Sequence, residues 1–261
     1  IVFSGDLGRH HHPVLADRET PDGAPTVLIE STYGDREHPE PDLEHEAFAD
    51  LIRRTIKRGG NVLIPAFAVD RSEVVLLAIQ QMMEAGRIPD DIPIWMNSPM
   101  GLAALSVYLD PAMADEIGPE FRGRPFINLP TLREARSKED SIKLNEPARP
   151  SIIISSSGMA TGGRVVHHLK SMLPDPKNSV VFTGFQSQGT RGRILMDGAT
   201  ELKMYGKYIP VRAEMLQDNE FSVHADASEL MDWLTEMSPR PSTVRGPRTT
   251  APGAPHRDPR R

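Results

Sequence analysis

The chain has 261 residues, 38% of them hydrophobic, with 24 prolines and no cysteine. That length holds one large domain or two smaller ones. The lack of cysteine excludes disulfides, cysteine nucleophiles, iron–sulfur ligation and cysteine zinc sites, and it fits a reducing cytoplasm. No apolar run approaches the roughly 18–20 residues of a membrane span, and a formal net charge of −6 gives no global pull on nucleic acid, so such binding needs a local basic cleft.

Strand and helix signals alternate along the chain. Residues 1–3 (Ile-Val-Phe) read as a strand running into a small-residue turn that holds Asp6. A carboxylate at the C-terminal end of a strand lies where open α/β sheets gather their chemistry. Its site partners are expected upstream of Ile1. Residues 26–29 form a second strand closed by Glu30, and residues 42–57 carry an amphipathic helix stopped by Gly59-Gly60. Strand 61–64, helix 72–85, strand 92–96 and a helix to Leu109 follow. Then come strand 151–154, helix 163–172, strand 179–182, a short helix at 190–196 and strand-like runs at 201–204 and 208–213. Residues 221–226 lead into a last helix at 227–237, with His224 placed where a strand ends and the helix begins. The rhythm predicts an α/β architecture with parallel sheets. From Ser242 the chain turns to Arg, Pro, Thr, Ala and Gly, and a disordered tail is expected.

Four loops carry groups fit for chemistry, and each has a plainer alternative. Asp6 suits a hard or borderline cation, or it caps turn amides. Glu30 closes an apolar strand, where a carboxylate is costly unless paired; an ion pair with Arg36 is the structural option. Residues 155–164 join a strand to a helix through Gly158, Gly162, Gly163 and Arg164. Such a loop cradles an anion at a helix N-terminus, or it is a tight turn. Its glycine spacing fits neither a Walker loop nor a dinucleotide fingerprint. His167 and His168 follow and, being adjacent, cannot share a face. His224 is placed as ligand, general acid or phosphate contact, or as a locally packed side chain, with Asp226 and Ser228 as helix caps. The run His10-His11-His12 reads as a solvated loop, because zinc sites use spaced ligands.

In this order, residues 3–9 (FSGDLGR), 28–38 (LIESTYGDREH), 155–169 (SSSGMATGGRVVHHL) and 221–230 (FSVHADASEL) closely resemble the β-CASP branch of the metallo-β-lactamase superfamily. The branch includes RNA-processing nucleases. Residues 61–71 (NVLIPAFAVDR), 97–101 (NSPMG) and 184–190 (GFQSQGT) add to the resemblance. It implies a partial metallo-β-lactamase αββα sandwich, residues 1–34 and 221–241, with an inserted β-CASP parallel-sheet α/β domain, residues 35–220, and an aberrant tail, 242–261. The implied function is zinc-dependent RNA phosphodiester hydrolysis in a cleft at the domain junction. Asp6 falls on the carboxylate that bridges two zinc ions, Glu30 on an acid behind the metals, and His224 on a histidine beside the scissile phosphate. Ser222 matches a phosphate contact, and the glycine loop with Arg164 would hold an RNA phosphate. RNA is the implied partner, without membrane association; a homodimer stays open.

The departures set further expectations. The family's His-x-His-x-Asp-His cluster normally precedes the FSGD strand, and its Val-His-Gly-Glu-like motif follows the last helix. Neither pattern is in these residues, and His256 has the wrong neighbours. A frame-shifted reading after Val244 is one explanation. Asp6 alone cannot hold two zinc ions, since zinc takes about four ligands, so this chain by itself is expected to bind zinc weakly and to lack nuclease activity. A non-catalytic RNA- or protein-binding module, or a metallohydrolase of another ester, are the competing readings.

Overall fold

The computed structural model describes residues 1–38, 45–238 and 240–246. Two compact units divide the chain. One gathers Ile1–His12, a segment from Asp17 and a segment from Val223; the other takes Pro13–Ala16 and a long segment ending at Ser222.

The first unit is a short parallel sheet with one helix. β1 (Val2–Phe3), β2 (Thr26–Leu28) and β11 (Thr243–Arg245) lie in the order β1-β2-β11, with Val2 opposite Val27 and Val27 opposite Val244. Helix α7 (Ala227–Glu236) packs Leu230 and Trp233 against Leu7, Val27 and Ala225. Asp226 starts it with a capping box: its carboxylate accepts from the Glu229 amide, and Glu229 reaches back to the Asp226 amide. β11 corrects the expectation of disorder from Ser242. Thr243 and Val244 add a strand to the open edge of β2, and the Ile29 amide donates to the Arg245 carbonyl at 2.9 Å. Residues 247–261, including His256, lie outside the described residues.

The second unit is built on six parallel strands in the order β10-β7-β3-β6-β4-β5: β10 (Glu214–Gln217), β7 (Ser179–Phe182), β3 (Val62–Pro65), β6 (Ile152–Ser155), β4 (Ile94–Asn97) and β5 (Leu132–Glu134). β3, β6 and β7 are buried along their whole length, which explains their unbroken apolar runs. Helices α1 (Glu46–Lys57), α2 (Arg71–Glu84), α3 (Pro99–Tyr108) and α5 (Arg164–Met172) alternate with these strands, beside two one-and-a-half-turn helices, α4 (Lys138–Lys143) and α6 (Arg191–Met196). The start predicted for α1 at residue 42 lies outside the described residues. At Gly60, just before β3, a Cβ would stand 1.8 Å from the Lys177 carbonyl oxygen, so only glycine fits there.

Three sequence expectations change. Of the run at 208–213 only the first half is strand: it lies in β9 (Lys207–Pro210), which pairs antiparallel with β8 (Glu201–Met204), residues 211–213 are irregular, and the edge strand β10 begins after them at Glu214. β5 and α4 carry no clear period and are new. The strand expected to end at His224 does not form: residues 221–226 make isolated bridges, Gly8 with His224 and Tyr33 with Asp226.

Glu73 on α2 is fully buried. Burial, with the nearby charge of Asp70 adding to it, pushes its carboxyl up to about 7. The neutral acid suits the folded state, so its contribution to stability is whole below the unfolded value of 4.5 and is lost as pH rises toward about 7. Glu73→Gln is therefore expected to raise stability by about 3 kcal/mol near pH 8 and by little near pH 4. Urea unfolding at the two pH values checks this; an equal effect at both would remove the proton linkage.

Candidate functional site

In the first unit the site begins with a carboxylate that has to be satisfied. β2 delivers Glu30 to the end of an apolar strand, with its side chain only 8% exposed. Its Oε1 accepts from the Leu7 amide at 2.5 Å, and its Oε2 from the Thr32 hydroxyl at 2.7 Å. The Glu30 amide in turn donates to the Ser4 hydroxyl at 3.0 Å. Ser4 and Leu7 flank Asp6, so the turn after β1 is folded around Glu30. The expected alternative, an ion pair with Arg36, is not what forms: Arg36 pairs with its neighbour Asp35, with Nε donating at 2.8 Å.

His224 is brought to the same carboxylate. The Ala225 amide donates to the Leu7 carbonyl at 2.8 Å and the Arg9 amide to the Val223 carbonyl at 3.1 Å, which lays residues 223–225 beside the Asp6 turn. The His224 Nδ1 then stands 3.2 Å from Glu30 Oε2 and 3.3 Å from Oε1. Burial alone would raise the Glu30 pKa. Hydrogen bonds from His224, Thr32 and Leu7, with the His224 charge, outweigh it and hold the carboxyl below its usual range. An ionised Glu30 accepts a proton-bearing Nδ1, which leaves Nε2 as the working nitrogen of the ring.

Asp6 completes the cluster. One potential ligand atom from each of Asp6, Glu30 and His224 lies within 4.8 Å of the other two, and Asp6 is exposed. These three side chains, far apart in sequence, thus share one place. As a metal centre they are a partial set. Both Glu30 oxygens already accept N–H or O–H groups, which leaves Asp6 as the clear ligand and the His224 ring beside it. That falls short of the four ligands one zinc takes. His10, His11 and His12 join no cluster of potential ligands among the described residues; the His10 amide donates to Glu229 and His11 faces solvent beside Asp17.

Two supports escaped the sequence reading. Thr32, two residues past Glu30, folds its hydroxyl back in the manner of a local polar turn. His38 stands 2.9 Å, through Nε2, from the His224 carbonyl, its amide donates to Asp226 at 3.0 Å, and its ring packs on Tyr33. The His224 segment is therefore held from both sides.

The other candidates belong to the second unit. Its parallel strands bring the loops after β3, β4, β6 and β7 to one edge. Gly158 packs beneath Phe67, where a Cβ would meet the ring at 2.8 Å. Gly163 has φ +75°, a backbone setting that glycine supplies at no steric cost, and it starts α5. Gly162 opens to space. Arg164, the expected phosphate holder, is engaged within the fold. Its Nη1 donates to Asn97 Oδ1 at 2.8 Å and to the Ala135 carbonyl at 2.7 Å, and its Nη2 to the Arg136 carbonyl at 2.8 Å. Asn97 also contacts buried His168, which is pushed down to about 4 by burial first and by the charges of His167 and Arg164 second. This network joins α5 to the end of β4, and it occupies Arg164 in the fold. Ser222 is buried, and its hydroxyl has no hydrogen-bond partner among the described residues.

Comparison with known proteins agrees with the motif reading. Residues 73–195 match the model of the Beta-Casp domain, and residues 208–245 match that of the Zn-dependent metallo-hydrolase RNA specificity domain. A ribonuclease of Thermus thermophilus is 36% identical over 249 residues, which cover 94% of this chain and 57% of the relative. The transcription termination factor FttA of Pyrococcus horikoshii is 36% identical over 234 residues, 84% of this chain and 35% of the relative. An RNase J-like protein of Methanocaldococcus jannaschii is 32% identical over 245 residues, covering 92% and 56%. The chain thus spans about half or less of these relatives.

The Glu30 cluster makes a stability prediction. A depressed carboxyl contributes stability above its unfolded value of 4.5 and loses it as pH falls through the folded value. Glu30→Gln should destabilise the chain by about 1–3 kcal/mol near pH 7, with the gap from wild type closing in acid. Denaturant midpoints at the two pH values measure it, and a gap unchanged by pH would exclude the charge as the cause.

Proposed function

Because this chain belongs to the β-CASP family of the metallo-β-lactamase fold, we propose that the protein it represents hydrolyses RNA phosphodiesters. The observation that carries the proposal is the contact between Glu30 and the His224 Nδ1, with Asp6 beside it. A ring held in this way presents Nε2 to a leaving oxygen, where a protonated imidazole donates its proton as the P–O bond breaks. Glu30 does not touch the substrate in this reading. It fixes the tautomer and orientation of His224 and steadies the imidazolium.

Zinc, two ions in the complete centre, would supply a metal-bound nucleophile and polarise the phosphodiester. Asp6 would be one ligand, and a complete centre would need others besides it. RNA phosphates are the proposed substrate, and a cysteine-free chain suits the cytoplasm as the proposed setting. No helix among the described residues is long and apolar enough to cross a membrane. Ser222 remains a candidate phosphate contact, supported by its buried, unanswered hydroxyl.

Two measurements test the reading. In a full-length protein, His224→Ala should lower RNA cleavage about 10²–10⁴-fold while binding of uncleaved RNA persists; undiminished cleavage would end the role of His224. The 261-residue chain alone should lose its zinc on dialysis against a chelator and cleave no RNA. Zinc retained at one or more equivalents would contradict the partial-site account.

A further inference from the structure

The β8–β9 hairpin of the second unit carries two tyrosines on its open side. Leu202, Met204 and Ile209 turn inward and are buried. Lys203 and Tyr208 are cross-strand partners on the other face, and Tyr208 is 62% exposed. The Lys203 ammonium stands 5.7 Å from the centre of the Tyr208 ring. Tyr205 sits in the turn and is 57% exposed. The ring of His167, from α5, stacks on it with centroids 5.1 Å apart and planes 23° from parallel. Lys170, one turn further along α5, places its ammonium 5.7 Å from the Tyr205 ring centre.

The turn itself is unusual for a tyrosine. Tyr205 and Gly206 have φ of +48° and +75°, the two positive values of a two-residue hairpin turn that favours Asn-Gly or Asp-Gly. A bulky residue in the left-handed region is strained, because its Cβ crowds the backbone. The tyrosine is therefore not there for the turn. It extends the His167 stack outward, with a lysine beside it.

We propose that this hairpin face is a binding platform for single-stranded RNA, separate from the cluster at Glu30. Successive bases stack on Tyr205 and Tyr208, and Lys170 and Lys203 meet the phosphates alongside. Paired aromatic rings and cations are what unstructured nucleic acid requires, since every base has a stacking face and every residue a phosphate. The positive charge is local, against a chain of net charge −6, so it draws a polyanion to this face and not to the whole surface. A shallow depression lined by Thr161, Arg191 and Lys203 runs from the hairpin toward the glycine loop. Arg191 in it donates to the Thr161 carbonyl at 2.9 Å. A strand of RNA on the tyrosines would thus run toward the loop edge of the parallel sheet. Glu201 lies in the same depression and sets its acidic limit.

This inference rests on the RNA reading above, and its test separates the two. Fluorescence anisotropy on the 261-residue chain, with a labelled single strand of about 12 nucleotides and a duplex of the same sequence, gives the affinities. Tyr205→Ala/Tyr208→Ala should weaken single-strand binding at least about tenfold, and Tyr205→Phe/Tyr208→Phe should restore it. Lys170→Gln/Lys203→Gln should flatten the dependence of log affinity on log salt by about 1–2. Wild-type affinity in the alanine pair would overturn the platform and leave the RNA reading standing. Equal weakening for single strand and duplex would overturn stacking as its basis. No RNA binding by the wild-type chain would overturn the platform outright, while cleavage by the full-length protein would still decide the function.

Discussion

A carboxylate closing an apolar strand has to be answered by donors, and the first unit is organised around that requirement at Glu30. The nearest donors in sequence are Thr32 and, across the sheet, the turn after β1. The most distant is His224, 194 positions along the chain. Two of the bonds that satisfy Glu30 also fix groups fit for chemistry. The Leu7 amide sets the turn that displays Asp6, and the His224 Nδ1 sets the direction of its ring. Burial works against the charge, and three sets of hydrogen bonds outweigh it. One local need for compensation thus assembles the cluster, before any substrate or metal is considered.

The second unit answers a different constraint. A parallel sheet buried on both faces leaves its chemistry to the loops at one edge. There the small residues are mostly required by packing: Gly158 by Phe67, and Gly163 by a positive φ at the start of α5. Arg164 and His168 are drawn into the network that joins α5 to β4. Lys170 and Lys203, open to solvent, stand beside the tyrosines on the adjoining face of α5 and on the β8–β9 hairpin.

Much of this was legible in the sequence for definite reasons. Strands β3, β6 and β7 are short apolar runs rich in valine and isoleucine, and α1 has four-residue apolar steps, so their place in an α/β fold follows from the pattern. Asp6, Glu30 and His224 stand out because each follows an apolar or aromatic run in a small-residue loop. Their convergence was not legible from spacing, because it depends on bridges between residues 7–9 and 223–225. β5 is three residues of mixed polarity and α4 is six residues rich in charge, too short to show a period. β11 is formed by Thr243 and Val244 because the edge of β2 is open, a tertiary cause that composition cannot display. The structural engagement of Arg164 was hidden for the same reason: an arginine beside glycines suggests an anion, while the carbonyls it also meets come from residues 135 and 136.

The central claim is that Glu30 determines the state of His224. Nitrogen NMR of histidine-labelled chain, near neutral pH, reads the two ring nitrogens directly. The account expects a proton on His224 Nδ1 in the wild type, and a shift toward the other tautomer in Glu30→Gln. An unprotonated Nδ1 in the wild type, or a ring whose nitrogen signals are the same in both proteins, would contradict it.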